Sequence, residues 1–166
     1  MMKDSSIKQQ LKYYDITSPL GTLRLSRDTV GLCQLTYLHR QAPVFSDAED
    51  ELLLETERQL AEYFHGRRRN FSIPLHFLSG TVFQQQVWTA LADIPYGKVC
   101  SYADLAAKVG RPKACRAVGQ ANHYNPISII LPCHRVIGSN GSLTGYGGGL
   151  ELKRYLLRLE TGRAQD

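Results

Sequence analysis

Two short helical patterns separated by a glycine turn constrain the fold of this chain more than any other feature. The stretch SYADLAAKVG begins with a Ser-x-x-Asp cap at Ser101 and ends at Gly110. RPKACRAVGQANHYN follows at once, with Pro112 at a position typical of the first turn of a helix. Two helices joined in this way predict a helix-turn-helix, although the same pattern also fits a helix pair packed in a core.

The second of these helices has an unusual surface. Arg116 lies among small residues, which are Ala114, Cys115, Ala117, Gly119 and Ala121. Small side chains allow a helix backbone to approach another surface closely. The C-terminal half is also basic: residues 81–166 contain ten Lys and Arg but five Asp and Glu, whereas residues 1–80 contain ten of each. Together these features favour a helix that binds in a groove of a polyanionic partner.

The N-terminal half predicts a small domain with an antiparallel sheet and one or two helices. KYYDITSPLGTLRLSRDTVGLCQLTYL places β-formers between turn sequences and predicts a β-meander. DAEDELLLETERQLAEYFHG predicts a helix that ends near Gly66. RRRNFSIPLHF predicts a basic turn and an edge strand, because Pro74 excludes a central strand. SGTVF then marks a boundary, so we expect domains over residues 1–79 and 80–166.

The remaining C-terminal segments complete an α/β (α+β) fold whose second domain is mostly helical. Phe83, Val87, Trp88 and Leu91 recur with helical spacing before the helix pair. NPISIILPCHRVI predicts an apolar strand, SNGS a turn and LTGYGGG a glycine-rich loop. GLELKRYLLRLETG predicts a closing helix.

Composition and cysteine spacing exclude several classes of protein. With 43% hydrophobic and 21% charged residues, the 166-residue chain fits the soluble globular class. The start MMKDSSIKQQ lacks a signal peptide, and no apolar stretch approaches the length of a membrane span, so we expect a cytoplasmic protein. Its four cysteines are widely spaced without a CxxC pair, and its histidines are scattered. This spacing predicts neither a disulfide scaffold nor a metal site.

The stretch ILPCHRVIG contains the strongest candidate for chemistry. Cys133 and His134 are adjacent, and a cysteine attacks as the thiolate, which needs a nearby base or positive charge. Neighbours in an extended backbone point to opposite faces, whereas a turn or helix start lets them converge, so a bridging water is one way to link them. The alternatives are a buried structural thiol and a papain-like protease, whose local signature is absent.

PCHRVIG, preceded by RAVGQANHYNPISIIL and followed by NGSLTGYGGGLELKRYLLRLE, resembles the signature of the O6-alkylguanine-DNA alkyltransferases, also called methylated-DNA–protein-cysteine methyltransferases. The similarity continues upstream through GTVFQQQVWTALADIPYGKVCSYADLA and covers residues 80–160. The N-terminal meander and helix resemble the family's RNase H-like N-terminal domain more loosely. The resemblance implies a winged-type helix-turn-helix in the C-terminal domain.

The resemblance implies a catalytic role for three residues. Cys133 is the acceptor nucleophile, His134 takes its proton through a water, and Glu160 orients and charges that histidine. The implied reaction moves the alkyl group irreversibly from O6 of guanine to the Cys133 sulfur. Each molecule acts once, without a cofactor, and O4-alkylthymine is an expected minor substrate.

The resemblance also implies how DNA binds. The helix from Lys113 to Tyr124 enters the minor groove of duplex DNA that contains O6-alkylguanine, and the guanine is flipped into a pocket. Arg116 fills the gap that the flipped nucleotide leaves, and Tyr102 turns the phosphate and donates to the guanine. The groove-facing small residues are Ala114, Cys115, Ala117 and Gly119. The substrate pocket is implied to comprise Val136, Tyr146, Gly147, Asn125, Ser128 and Thr144.

Each of these roles has a plainer interpretation. Arg116 could be a phosphate clamp, Tyr102 a surface tyrosine and Glu160 an exposed helix-end acid. Two further functions compete with the transferase: a non-catalytic DNA-binding module, either a lesion binder or a transcription regulator, and a cysteine hydrolase. The presence of the cysteine, histidine and glutamate argues against a lesion binder, and the chain lacks room for a regulator's extra domain. We expect no metal and a monomer that can bind DNA cooperatively.

Overall fold

The computed structural model describes residues 10–46 and 49–162, and within them five strands, five α-helices and one 3-10 helix. The polar start of the chain, residues 163–166 and the first two residues of the predicted helix at 47–66 lie outside the described ranges.

The predicted β-meander is correct. Three antiparallel strands form the N-terminal sheet in the order β1 (Lys12–Ser18), β2 (Gly21–Arg27) and β3 (Leu32–His39). Leu25 pairs with Leu35, and both side chains are fully buried. Gly21 has a φ of 90°, and a Cβ at this position would lie 2.4 Å from the His39 carbonyl oxygen. The tight β1–β2 turn therefore requires glycine.

Helix α1 (Glu51–Phe64) packs against this sheet. It begins after Asp50, whose carboxylate accepts the Leu53 N–H at 2.9 Å. The edge strand predicted after α1 is wrong, because that segment touches β3 only through one bridge between Leu32 and Leu75. Pro74 has no N–H to donate, so only its carbonyl contributes to pairing, accepting from Leu32 at 2.8 Å.

The C-terminal half is mostly helical, as predicted. Its helices are α2 (Val82–Leu91), α3 (Tyr102–Lys108), α4 (Cys115–His123) and α5 (Leu150–Thr161). Capping boxes begin α2, at Thr81 and Gln84, and α3, at Ser101 and Asp104. The Trp88 indole N–H donates to the Ala121 carbonyl at 2.7 Å and fixes α2 against α4.

Helices α3 and α4 form the predicted helix pair, with Gly110 at a φ of 80° between them. The position of Pro112 differs from the prediction, since it lies in a turn that precedes α4 rather than in the helix. The Ala114 N–H donates to the Arg111 carbonyl at 2.9 Å, which closes that turn and delays the start of α4 to Cys115.

Of the strand predicted over NPISIILPCHRVI, only the last two residues, Val136 and Ile137, form a strand. Before them only Ile127 forms a bridge, to Leu35 of β3, and the chain then turns through Ile129 at a φ of 73°. The Asn125 side chain closes this turn by donating to the Leu131 carbonyl and accepting the Ile127 N–H. These bonds within the segment replace the ladder of a strand.

A 3-10 helix over Cys133–Arg135 follows this turn, and β5 (Val136–Ile137) then pairs in parallel with β4 (Cys100–Ser101). One hydrophobic core contains buried residues of both halves, including Leu23 and Leu35 of the sheet and Val118 and Ile127 beyond it. In the described part of the chain, no helix combines the length and apolar character needed to cross a membrane.

Candidate active site

The 3-10 helix brings the candidate nucleophile and base into the interior together. Cys133 is 5% exposed, His134 is fully buried, and both lie on the same turn rather than at a strand end. Burial raises the pKa of the Cys133 thiol, while the Asn125 amide and the Lys153 ammonium lower it in part. The resting cysteine is therefore a protonated thiol that needs a base.

His134 has the properties of that base. Burial lowers its pKa, against the opposing effect of Glu160, so the ring is neutral at pH 7. Its Nε2 lies 2.8 Å from Glu160 Oε2, and because a carboxylate accepts, Nε2 carries the hydrogen. Nδ1 then keeps its lone pair, and this buried atom has no hydrogen-bond partner among the described residues. It is free to accept a proton.

Glu160 is a buried acid rather than an exposed one. Helix α5 places it with 6% exposure between His134 and Arg135, whose Nε donates to Oε1 at 2.6 Å. Burial would raise the pKa of Glu160, but the hydrogen bonds from these two partners and the charge of Arg135 outweigh it and hold the pKa below its ordinary value. Arg135 also donates from Nη1 to the Ile94 carbonyl at 2.6 Å, which fixes the guanidinium.

Lys153 lies beside the candidate site, although a charged lysine is expected at the surface. It is fully buried, and its Nζ donates to the Val136 carbonyl at 2.6 Å and to the Thr144 carbonyl at 3.1 Å. Burial lowers its pKa, and the charge of a Cys133 thiolate raises it. A sequence signal exists, since Lys153, Leu156 and Glu160 follow i, i+3, i+7 spacing and share the buried face of α5.

A cavity of about 330 Å³ lies along α4, from Cys115 to His123. Its walls contain four of the six residues predicted to face DNA, together with the last residue of α4 and two loop residues: Tyr102, Cys115, Arg116, Gly119, His123, Thr144 and Gly145. The Tyr102 hydroxyl donates to the Thr144 carbonyl at 2.9 Å across this cavity. A larger cavity of about 590 Å³ lies between α2 and α3, lined by residues such as Phe77 and Val109, and has no nucleophile in its walls.

Three of the predicted groove-facing residues, Cys115, Arg116 and Gly119, line this cavity, whereas Ala114 and Ala117 do not. Arg116 and Ala117 are exposed, while Ala114, Cys115 and Gly119 are half-buried. A Cβ at Gly119 would lie 3.9 Å from the ring of Tyr102, which is ordinary contact. Arg116 forms no ion pair with any residue of the described ranges, so its guanidinium is available to a ligand.

The predicted pocket residues are brought together only in part. Tyr146 is half-buried, and its hydroxyl lies 2.6 Å from that of Tyr37 on β3. Gly147 faces the His123 carbonyl at the end of α4. Ser128 does not line the cavity over α4, because its N–H donates to Leu35 and holds it at the edge of β3.

Two backbone carbonyls of the active-site segment already accept hydrogen bonds. The Cys133 carbonyl accepts from the Val136 N–H, and the Val136 carbonyl accepts from Lys153. A carbonyl oxygen has two lone pairs, so each retains capacity for a second donor. Burial raises the pKa values of Tyr37, Tyr102 and Tyr146, and the charge of a Cys133 thiolate raises them further.

A second cluster lies under the N-terminal sheet, where Asp28, Cys33 and His76 place one ligand atom each within 4.8 Å of the others. The Asp28 carboxylate already contacts the His76 ring and accepts the N–H groups of Val30 and Gly31. Burial raises the pKa of Cys33 to about 11, so this thiol is neutral. The absence of a bound metal stays a prediction.

The fold and site define a class of protein in which a helix-turn-helix accompanies a buried cysteine and a buried histidine–glutamate pair. A family model described as 6-O-methylguanine DNA methyltransferase, DNA binding domain, matches residues 82–162, and the ribonuclease-like domain model of the same family matches residues 11–77. The chain belongs to this family.

Individual relatives agree over most of the chain. A methylated-DNA–protein-cysteine methyltransferase of Methanosarcina acetivorans is 46% identical over 153 residues, which cover 89% of this chain and 97% of the relative. A constitutive enzyme of the same name from Bacillus subtilis is 59% identical over 109 residues, covering 65% and 66%. The crystal structure of Mycobacterium tuberculosis OGT in complex with DNA is 46% identical with a TM-score of 0.84, covering 92% of this chain and 94% of that one.

Proposed function

We propose that this protein repairs O6-alkylguanine in duplex DNA by transferring the alkyl group to its own Cys133. The observation that carries the proposal is a buried thiol beside a neutral histidine whose other nitrogen is bound to a buried glutamate. The names of the relatives support the same chemistry, since they are methylated-DNA–protein-cysteine methyltransferases.

The reaction is a single displacement at the alkyl carbon. His134 Nδ1 takes the Cys133 proton through a water, and Glu160 stabilises the imidazolium that forms. The sulfur forms a bond to the alkyl carbon while the bond from that carbon to O6 breaks. The electron pair of the breaking bond stays on O6 of guanine. In total, the thiol hydrogen ends on the restored guanine and a thioether remains on Cys133. Nothing returns the thioether to a thiol, so each molecule acts once and no cofactor is required.

The DNA contacts follow from the exposed side of α4. This helix would enter the minor groove, where Ala114, Cys115, Ala117 and Gly119 let its backbone approach the duplex. The exposed Arg116 would occupy the place of the flipped guanine, which offsets the few kcal/mol that unstacking costs. Tyr102 would turn the phosphate and donate to the guanine, which requires its hydroxyl to leave the Thr144 carbonyl.

The flipped guanine would be held by backbone and loop groups around the sulfur. The Cys133 and Val136 carbonyls would accept from its amino group, and Tyr146 and the Gly147 backbone would stabilise the leaving O6. Asn125 would act on Cys133 rather than on the guanine, because its amide binds the turn before Cys133 and lowers the pKa of the thiol. Thr144 would line the entrance, while Ser128 would act from the edge of β3.

We further propose a division at residues 1–79 and 80–166, a cytoplasmic location, a monomer that can bind DNA cooperatively, and O4-alkylthymine as a minor substrate. The ranges matched by the two family models, 11–77 and 82–162, support the division. The shared core and the bridge from β3 to Ile127 also support close cooperation of the two domains.

The test is intact-mass and peptide-map analysis after incubation with excess duplex DNA that contains one O6-methylguanine. We expect a gain of one methyl group per protein, confined to the peptide with Cys133, and then no further reaction. Cys133→Ala should bind the lesion without a mass change, and Arg116→Ala should flip the base less well with the sulfur chemistry intact. Binding without any mass change in the wild type would indicate a lesion binder, and repeated turnover would indicate a hydrolase.

A further inference from the structure

A tyrosine of the N-terminal sheet contacts the glycine-rich loop of the candidate site. Tyr37 lies on β3, and its hydroxyl is 2.6 Å from the hydroxyl of Tyr146. The two rings meet edge to face, with centroids 6.0 Å apart. This contact joins residues 109 positions apart in the chain.

The ring of Tyr37 also packs directly on the loop backbone. A Cβ at Gly148 would lie 2.9 Å from Tyr37 Cδ2 and Cε2 and 2.8 Å from Leu152 Cδ1. Such approaches are too short for any residue but glycine. Tyr37 therefore holds the loop at two points, one through its hydroxyl and one through its ring.

The chemistry of the hydroxyl pair matters for the leaving group. Burial raises the pKa values of both tyrosines, and a Cys133 thiolate raises them further, so both stay protonated during the reaction. When Tyr37 donates to Tyr146, the hydrogen of Tyr146 is left to donate to another acceptor. In the proposed reaction that acceptor would be the guanine O6, from which the alkyl group is transferred.

We propose that Tyr37 is a positioning residue for alkyl transfer, through which the N-terminal sheet sets the orientation of Tyr146 and the width of the alkyl pocket. This inference rests on the proposed function. It gives the N-terminal domain a part in the reaction beyond support, since removal of one hydroxyl on β3 should change the chemistry at Cys133.

The test compares Tyr37→Phe with the wild type at saturating duplex DNA, with either O6-methylguanine or O6-benzylguanine in the duplex. We expect transfer of methyl to slow about tenfold, because one buried hydrogen bond is lost at the leaving group. A loosened loop accepts a larger group more easily, so the ratio of methyl to benzyl rates should fall by about threefold or more. Binding of undamaged duplex should stay unchanged.

Tyr14→Phe is the matched control, because Tyr14 is a half-buried tyrosine of the same sheet whose hydroxyl donates to Glu57 at 3.2 Å. It should lose as much thermal stability as Tyr37→Phe but keep wild-type rates and the wild-type ratio. The double variant with Tyr146→Phe should be no slower than Tyr146→Phe alone, since Tyr37 acts through Tyr146.

Wild-type rates in Tyr37→Phe, or losses that simply add in the double variant, would overturn the inference. Failure of the wild type itself to methylate Cys133 would instead overturn the proposed function. The two failures are distinguished by the wild-type reaction, which is measured first.

Discussion

Replacement of Glu160 by Gln tests the relay at its most buried point. The carboxylate accepts from His134 Nε2 at 2.8 Å and from Arg135 Nε at 2.6 Å, and it is 6% exposed. A glutamine amide keeps the shape but loses the charge. If its oxygen stays with Arg135, its NH₂ faces His134, and the ring must then protonate Nδ1 to accept at Nε2. In that tautomer His134 cannot take the thiol proton.

The change affects both rate and stability. Loss of general-base catalysis should slow alkyl transfer about 10²- to 10⁴-fold, the usual range for a positioned acid or base. Arg135 is left buried without its counter-charge, and breaking such a buried pair costs about 3–5 kcal/mol of the free energy of unfolding. Addition of a neutral base should not restore the rate, because His134 is fully buried.

The assay is single-turnover transfer from duplex DNA that contains O6-methylguanine, with the rate divided by the folded fraction measured by circular dichroism at the same temperature. Glu151→Gln, which alters an exposed acid in the first turn of the same helix, is the matched control and should react at the wild-type rate. A Glu160→Gln rate within a factor of about two of the wild type would refute the relay, since the expected loss is far larger.

The difference in the free energy of unfolding between the wild type and Glu160→Gln should also depend on pH. The folded-state pKa of Glu160 lies below its ordinary value of 4.5, so its contribution is fully present above about pH 4.5 and is lost as the pH falls through the folded value. The gap in unfolding free energy between wild type and Glu160→Gln should therefore narrow below pH 4.5. Burial lowers the pKa of His134 in the folded protein, so just below about pH 6.5 only the unfolded chain binds a proton at this residue. This proton binding lowers the free energy of unfolding of both proteins as the pH falls.

Two further predictions concern residues on opposite sides of the molecule. Lys153→Met should slow alkyl transfer at pH 7 about tenfold or more, because the ammonium that lowers the pKa of Cys133 is lost. The transfer rate of the variant should also rise more steeply with pH. An unchanged pH–rate profile would contradict this prediction. Asp28→Asn should lower the urea-derived free energy of unfolding by about 1–3 kcal/mol at pH 7 without slowing transfer. The folded pKa of Asp28 is about 2, so this loss should shrink between pH 4 and pH 2, and a loss that persists at pH 2 would exclude the carboxylate charge of Asp28 as its cause.

Much of the fold could be predicted because local patterns and local structure agree. The Ser101 and Asp104 capping box, the turn at Gly110 and the alternating meander each act over a few residues, and each appears in the structure. The motif around Cys133 likewise pointed to a nucleophile and a base before any geometry was available. The roles assigned to Arg116 and Tyr102 stay predictions, and the Arg116→Ala variant tests the first of them.

The errors arise where distant contacts overrule local pattern. An apolar run ending at Cys133 reads as a strand, yet the Asn125 side chain and the bridge from Ile127 to β3 bend it into a turn and a 3-10 helix. Propensity could not anticipate this, because an apolar segment is equally suited to a strand or to a buried turn.

The sequence by itself determined the helix pair, the meander and the excess of positive charge in the C-terminal half, because these depend on residue type and short spacing. It also placed the candidate nucleophile Cys133 next to the candidate base His134. Only the tertiary structure decided that Glu160 is buried between His134 and Arg135, that Lys153 lies inside with two carbonyl partners, and that Tyr37 reaches Tyr146. The physical reason is that burial and charge pairing depend on groups far apart in the chain, and these meet only when the sheet, the active-site turn and α5 pack on one core.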